Sequence, residues 1–143
     1  MKKIKRDNVV IHYTFHGMGD IALLFVHGSY IDHTYWKEQV DCFKDRYTVV
    51  TMDLAGHGQS GKKRERWSIE GFAKDVIAVL GALRLKNVIL IGHSLGADIN
   101  LMAATSAPQS ILGFIAIESF KNAATALSEE ESQQGAEIMK NLK

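Results

Sequence analysis

The stretch Val88-Ile89-Leu90-Ile91-Gly92-His93-Ser94-Leu95-Gly96 decides the fold. Its first four residues are all apolar, which predicts a short strand that is buried on both faces. The small residues on both sides of Ser94 permit a sharp turn. The residues from Leu95 to Ser106 then predict a helix, which ends before Pro108, the only proline. We therefore expect Ser94 to project from a strained turn between a strand and a helix, beside the positive end of the helix dipole.

Segments typical of strands and of helices alternate on both sides of that stretch. Apolar, β-branched or aromatic runs predict strands at Val9–Phe15, Ile21–Val26, Tyr47–Met52 and Ile111–Ile117. Apolar residues at helical spacing predict one helix that includes Trp36, Val40 and Phe43. A second helix, with Ser68 as its N-cap, has an apolar face made of Ile69, Phe72, Val76, Val79, Leu80 and Leu83. The alternation predicts an α/β fold, a mainly parallel sheet with helices on both faces, which binds ligands at the carboxyl ends of its strands.

The bulk composition favours a soluble protein with one ordinary core. The chain has 143 residues, of which 46% are hydrophobic and 23% are charged, and its formal net charge is +1. This charge favours neither a nucleic-acid partner nor a membrane partner. Cys42 is the only cysteine, which excludes an internal disulfide and fits a reducing compartment. The basic N-terminus is not followed by the apolar region of a signal peptide, and no apolar run approaches the roughly 20 residues of a membrane helix. We therefore expect a cytoplasmic location.

Four motifs, taken in order, resemble the landmarks of the α/β-hydrolase superfamily. They are His27-Gly28, Trp36, Asp53-x-x-Gly56-x-Gly58-x-Ser60 and Gly92-His93-Ser94-Leu95-Gly96. The resemblance extends from about Val9 to Ile117 and implies the fold of that family. It also implies hydrolysis of esters, amides, thioesters or related bonds through a serine, an acid and a histidine. A serine at position 94 disfavours the branches that use aspartate there, such as epoxide hydrolases and haloalkane dehalogenases, and favours an esterase-like branch.

The resemblance also implies a role for individual residues. Ser94 would be the nucleophile, and the backbone amides of Leu95 and Ser29 would form the oxyanion hole. The residues that shape the turn and the facing loop would be Gly92, His93, Gly96, His27 and Gly28. We interpret the His27 imidazole itself as a buried, hydrogen-bonded group that shapes its loop, because the oxyanion hole uses backbone donors. The expected partner is a small acyl substrate, with no metal and no cofactor.

The acid and the base are less well defined by the sequence. Glu118 directly follows the last predicted strand, where some family branches place the acid, but it could equally be a polar strand terminus. All six histidines lie at or before His93, although the family order is serine, acid, histidine. His93 adjoins Ser94 in a turn that separates neighbouring side chains, which makes it a poor base. His57 could approach the site from its own loop.

The simplest explanation is that the chain is incomplete. Residues 1–120 would then be the N-terminal part of an α/β-hydrolase core, ending after the sixth strand of that fold. Residues 121–143 would begin a lid, since Ser128-Glu129-Glu130-Glu131 fits a capping box that starts a polar helix. The strand that ends at Ile117 would be left as an exposed apolar edge, which predicts self-association.

Two other functions remain open at this stage. The absent downstream histidine fits a ligand-binding protein on the same scaffold that carries out no catalysis. The segment Gly56–Lys62 partly matches two phosphate-binding patterns, Gly-x-Gly-x-x-Gly and the P-loop. Lys63 stands where a P-loop needs serine or threonine, and both patterns need a helix to begin at the last glycine. The basic run Lys62–Arg66 intervenes instead, and we expect it to be a solvated loop.

Overall fold

The structure is a computed structural model that describes residues 1–119, within which six strands and three α-helices form. The strands are β1 (Lys2–Arg6), β2 (Val9–His16), β3 (Ala22–Val26), β4 (Thr48–Met52), β5 (Val88–His93) and β6 (Ile111–Ile117). The α-helices are α1 (Lys37–Phe43), α2 (Ile69–Leu83) and α3 (Leu95–Ser106). Short 3-10 turns cover His33–Trp36 and Pro108–Ser110. The predicted division at residue 120 and the predicted lid helix lie outside the described residues.

The six strands form one sheet in the order β1-β2-β4-β3-β5-β6. β3 pairs parallel with β4 and with β5, and β5 pairs parallel with β6. At the other end of the sheet, β2 pairs antiparallel with β1 and with β4. Alternate residues of β3 point to opposite faces: Leu24 joins the core under α2 and α3, and Phe25 joins the core under Trp36 and α1. The predicted α/β fold, a mainly parallel sheet with helices on both faces, is confirmed.

The N-terminal strand β1 was missed by the sequence analysis. Lys2–Arg6 pairs antiparallel with β2 through a hairpin whose turn residues, Asp7 and Asn8, have φ values of 47° and 63°. Two consecutive positive φ values are the requirement of the commonest two-residue hairpin turn, and Asp and Asn tolerate them better than most residues. The Asp7-Asn8 pair was the available signal in the sequence.

The prediction of a fully solvated loop at Lys62–Arg66 is wrong for Arg64. The Arg64 side chain is only 5% exposed, and its Nη2 donates to both carboxylate oxygens of Asp75 at 2.8 Å. Arg6 Nε donates to the same carboxylate at 2.6 Å. Asp75 lies on α2 with a completely buried side chain, so its charge requires partners. The three side chains thereby join β1, the basic loop and α2.

The sheet ends at β6 within the described residues, and this strand pairs on one side only, with β5. Its apolar side chains Leu112, Ile115 and Ile117 are 60%, 50% and 37% exposed. No helix among residues 1–119 is long and apolar enough to cross a bilayer.

Candidate active site

Ser94 occupies a tight turn between β5 and α3. Its backbone has φ 50° and ψ −121°, a conformation that costs a residue other than glycine on the order of 1–3 kcal/mol. The turn can form because two glycines flank it. A Cβ at Gly92 would lie 2.5 Å from the amide nitrogen of Ala97, and a Cβ at Gly96 would overlap the carbonyl oxygen of Val26. The crowding explains why the sequence has glycine at both positions.

The first turn of α3 and the end of β6 surround Ser94. Leu95 is the first residue of α3, so its amide belongs to the unpaired N-terminal donors of the helix. The Ser94 amide donates to the carbonyl of Ile117 at 3.0 Å. Glu118 follows directly, is exposed and has a φ of 51°. The structure therefore brings Glu118 to the same edge of the sheet as Ser94, with its backbone in the left-handed region.

The loop after β3 lies against the Ser94 turn. A Cβ built on Gly28 would be 2.8 Å from Nδ1 of His93 and 3.2 Å from Cβ of Ser94. Only glycine at position 28 lets the two loops come this close, and their contact brings the half-buried Ser29 near Ser94. The two loops that the sequence analysis singled out meet at the carboxyl edge of the sheet.

His27 holds the start of this loop to the end of β4. Its ring is completely buried, its Nδ1 donates to the carbonyl of Gly28 at 2.7 Å, and its Nε2 accepts from the amide of Leu54 at 3.0 Å. Burial lowers the pKa of His27 from 6.5 to about 4. The imidazole is therefore neutral at pH 7, and both of its nitrogens are used in shaping the loop.

Asp53 holds the other end of the same loop. Its buried carboxylate accepts from the backbone amide of His33 and from the His33 ring Nδ1, both at 2.8 Å, and from the amide of Gln59 at 2.9 Å. Ser60 Oγ donates to the Asp53 carbonyl at 2.7 Å. The loop that carries Ser29 is thus fixed to the end of β4 at both His27 and His33.

Asp53 and Ser60 were quoted in the sequence analysis as landmarks without a role. A polar residue directly after a buried strand was the available signal for Asp53. Nothing in the sequence marked His33 as its partner, since the two residues are 20 positions apart.

Comparison with known proteins gives the family. The model of the alpha/beta hydrolase fold family matches residues 21–140. The chain belongs to the α/β-hydrolase family. The match confirms the resemblance to this family and the predicted α/β-hydrolase fold.

Individual relatives agree with this assignment. The chain is 31% identical over 111 residues to the uncharacterised hydrolase YugF of Bacillus subtilis, which covers 76% of this chain and 41% of that protein. Est816, described as an N-acyl homoserine lactone degrading enzyme, superposes with a TM-score of 0.86 at 28% identity over 98% of this chain and 52% of its own. An epoxide hydrolase from Bacillus megaterium superposes with a TM-score of 0.78 at 26% identity, over 97% and 50%.

The matched proteins are longer than this chain. It spans 26% to 42% of the length of the curated relatives and about half of the length of the solved structures.

Two histidines of this α/β-hydrolase chain lie at the carboxyl edge of the sheet. His93 stacks on Tyr35, with ring centroids 5.1 Å apart. The ring of His57 lies 5.2 Å from that of His27, and its Nδ1 is 3.1 Å from the carbonyl oxygen of Ala55. His57 therefore lies at the carboxyl edge, as the sequence analysis allowed.

The loop Gly56–Lys62 offers few free donors to a phosphate. The amides of Gly56, His57, Gln59, Ser60 and Gly61 all donate to acceptors of the protein itself. The next helix, α2, begins at Ile69 and not at the last glycine. Both features remove the amide cradle that a phosphate-binding loop requires, so the structure does not support nucleotide binding there.

One group of side chains has the composition of a metal site. Oxygen and nitrogen atoms of Asp32, His33 and Asp53 lie within 4.8 Å of one another. Both Asp53 oxygens already accept hydrogen bonds, and Asp32 accepts from the amide and hydroxyl of Thr34. These hydrogen bonds hold the loops together and explain why the three side chains lie close to one another. We therefore assign no metal to them.

Proposed function

We propose that this chain carries the nucleophile and oxyanion hole of a serine hydrolase that acts on carboxylic esters or related acyl bonds. The observation that carries the proposal is the conformation of Ser94. A serine held at φ 50° by two crowded glycines, between a buried strand and a helix N-terminus, has the geometry of a nucleophile elbow. The presence of serine argues for acyl chemistry and against the aspartate-dependent reactions of the epoxide hydrolase branch.

The proposed reaction begins with attack of Ser94 Oγ on the substrate carbonyl carbon. The carbonyl oxygen then gains negative charge, which the amides of Leu95 and Ser29 and the positive end of α3 would stabilise. Collapse of this intermediate breaks the bond to the leaving alcohol, which takes up the proton that Ser94 lost, and leaves an acyl group on Ser94. Water then attacks the acyl group, releases it as the carboxylic acid and restores the Ser94 hydroxyl. His27 and Asp53 contribute indirectly, since they fix both ends of the loop that carries Ser29. No metal or cofactor is needed for these steps.

The general base determines how fast this chain would react. A serine hydroxyl is a weak nucleophile unless a neighbouring base takes its proton. The sequence has no histidine after Ser94, so the family's histidine position has no counterpart in these 143 residues. In subtilisin, loss of the catalytic histidine alone lowers turnover by about 10⁶, and roughly 10³–10⁴ over the uncatalysed rate remains from binding and the oxyanion hole. We propose a similarly small residual activity here, with Glu118 as the acid of the complete site.

The test is hydrolysis of para-nitrophenyl acetate by the purified chain and by Ser94→Ala. Ser106→Ala is the matched control, because it removes a serine hydroxyl from the far end of the same helix. We expect slow hydrolysis that Ser94→Ala abolishes and Ser106→Ala leaves unchanged. Equal rates for the chain and Ser94→Ala would contradict the proposal. Fast hydrolysis that depends on Ser94 would place a base within the chain, and His57→Ala would then be the first variant to examine.

A second candidate function is ligand binding without catalysis, and the absence of a histidine after Ser94 is the observation in its favour. A binding protein would return an added ester unchanged, and its affinity would be the same with Ser94→Ala. Hydrolysis of the ester by the chain that is lost in Ser94→Ala would exclude this second function.

A further inference from the structure

A series of contacting aromatic side chains leads from the core to the Ser94 turn. The ring of Phe25 lies 5.0 Å from that of Trp36 in a tilted contact, and the ring of Trp36 lies 4.9 Å from that of Tyr35 in an edge-on contact. Tyr35 in turn stacks on His93, with centroids 5.1 Å apart and planes inclined by 27°. Trp36 is only 2% exposed, so the inner part of the series is fixed in the core. The position of the Tyr35 ring is therefore set by the fold.

Tyr35 has the most exposed ring of this series. Its side chain is 49% exposed, although one ring face covers His93 and another part of the ring meets Trp36 edge-on. An aromatic ring that is already held in place loses little conformational freedom when a second ring stacks on it. The ring that Tyr35 contacts belongs to His93, the residue directly before Ser94, and both His93 Nδ1 and Ser94 Cβ lie against Gly28. Tyr35 offers a stacking surface for part of the substrate.

Among the described residues, the segments that form the carboxyl edge around Ser94 carry acidic side chains and no lysine or arginine. We call the carboxyl edge of the sheet around Ser94 the site rim. It consists of residues 27–36, 53–60, 92–98 and 117–119. The rim contains no lysine and no arginine, and its acidic residues are Asp32, Asp53, Asp98 and Glu118. Asp53 is buried and bonded to His33, whereas Asp98 and Glu118 are exposed. A substrate that carries a carboxylate would meet repulsion at this edge, and an uncharged or cationic one would not.

We infer that the site rim selects uncharged or cationic acyl compounds that carry an aromatic ring, and that Tyr35 is the residue on which the ring stacks. The inference rests on the function proposed above and specifies its substrate class. Tyr35 acts on binding and has no part in the proton transfers. Its contribution is that of an aromatic pair, which predicts a preference of roughly 3- to 10-fold for a flat ring over a saturated ring of the same size.

The test measures binding, so that it does not depend on a complete catalytic site. N-benzylacetamide, its cyclohexylmethyl counterpart and its para-carboxy and para-aminomethyl derivatives are amides that an esterase does not readily cleave. Each is titrated into the isotope-labelled chain, and its Kd and place of binding are taken from backbone amide shifts. We expect shifts in residues 27–36 and 92–98, and a Kd roughly 3- to 10-fold lower for the benzyl than for the cyclohexylmethyl compound.

The charged compounds test the acidic rim. The carboxylate should bind about 3- to 10-fold more weakly than the uncharged benzyl compound, and the aminomethyl compound at least as tightly. The difference should shrink in about 0.5 M salt, where charges are screened over a shorter distance. Equal affinity for the carboxylate and the cation at low salt would contradict the charge argument.

Two variants of Tyr35 isolate the ring. Tyr35→Phe keeps the ring and should keep the benzyl preference, whereas Tyr35→Leu keeps apolar volume and should remove it. Unchanged amide spectra away from the rim would show that both variants fold. An equal Kd for the benzyl and cyclohexylmethyl compounds, a preference that survives Tyr35→Leu, or shifts confined to other surfaces would overturn the inference. Selective binding at the rim without any Ser94-dependent hydrolysis would instead retain this inference and reject the proposed esterase function.

Discussion

His27 shows how one buried side chain couples the site loop to solution pH. Both of its ring nitrogens are hydrogen-bonded within the protein, and burial lowers its pKa from 6.5 to about 4. Between these two pKa values the unfolded chain binds a proton at His27 that the folded chain does not. The free energy of unfolding is therefore highest above pH 6.5 and falls as the pH decreases toward 4.

The expected loss between about pH 7 and about pH 4.5 is on the order of 2–3 kcal/mol. Urea unfolding at the two pH values measures it. His27→Gln should be less stable at neutral pH, because it disturbs the bond to Leu54, but its stability should depend much less on pH. His16→Gln changes a half-buried histidine on β2 and serves as the control. Its free energy of unfolding should fall between the two pH values as much as that of the unsubstituted chain. The same pH dependence in His27→Gln and His16→Gln would contradict the assignment.

At the scale of the elements, the charged cluster of Asp75, Arg6 and Arg64 joins α2 to β1 and to the basic loop. Asp75→Ala would leave two arginines beside each other in a largely buried position. Removal of one member of a buried ion pair costs roughly 3–5 kcal/mol, and we expect a loss of this size in chemical unfolding. Asp41→Ala is the matched control, because Asp41 pairs with Lys44 at 2.7 Å on the surface.

Asp41→Ala should not change stability measurably, since exposed pairs contribute little. Equal effects of the two substitutions would mean that the Asp75 cluster is solvated in solution.

The elements themselves were largely predictable from the sequence. Every predicted strand and helix within residues 1–119 forms, because apolar runs and helical spacing follow directly from burial. The Ser94 turn was predictable because few sequences place small residues on both sides of a serine between a strand and a helix. β1 was missed although its partner β2 is next in sequence, because Lys2–Arg6 has a single apolar residue, Ile4. The burial of Arg64 was not predictable, since it depends on Asp75, a partner 11 positions away on another element. The contacts of His33 with Asp53 and of Tyr35 with His93 were hidden for the same reason.

In the molecule as a whole, β6 is the element from which we predict self-association. One side of the strand is unpaired within the described sheet, and Leu112 and Ile115 are at least half exposed. Apolar edge strands of this kind favour pairing between molecules. We expect the chain to self-associate in light scattering and to bind a dye specific for exposed apolar surface.

Ile115→Lys should reduce both signals, because a charge in the middle of an edge strand opposes pairing. Met18→Lys, at a 93% exposed residue outside β6, is the control and should leave them unchanged. A monodisperse monomer that binds no dye would contradict the role given to β6.

We propose that the turn between β5 and α3 makes Ser94 a nucleophile, and covalent capture of the Ser94 hydroxyl tests this. The folded chain is treated with an alkyl phosphonofluoridate, and the modified residue is located by tandem mass spectrometry. We expect one slowly formed adduct on Ser94, which Ser106→Ala leaves unchanged and which is lost when the chain is unfolded in urea. Modification spread over several hydroxyl groups, or a rate on Ser94 that unfolding does not change, would contradict it.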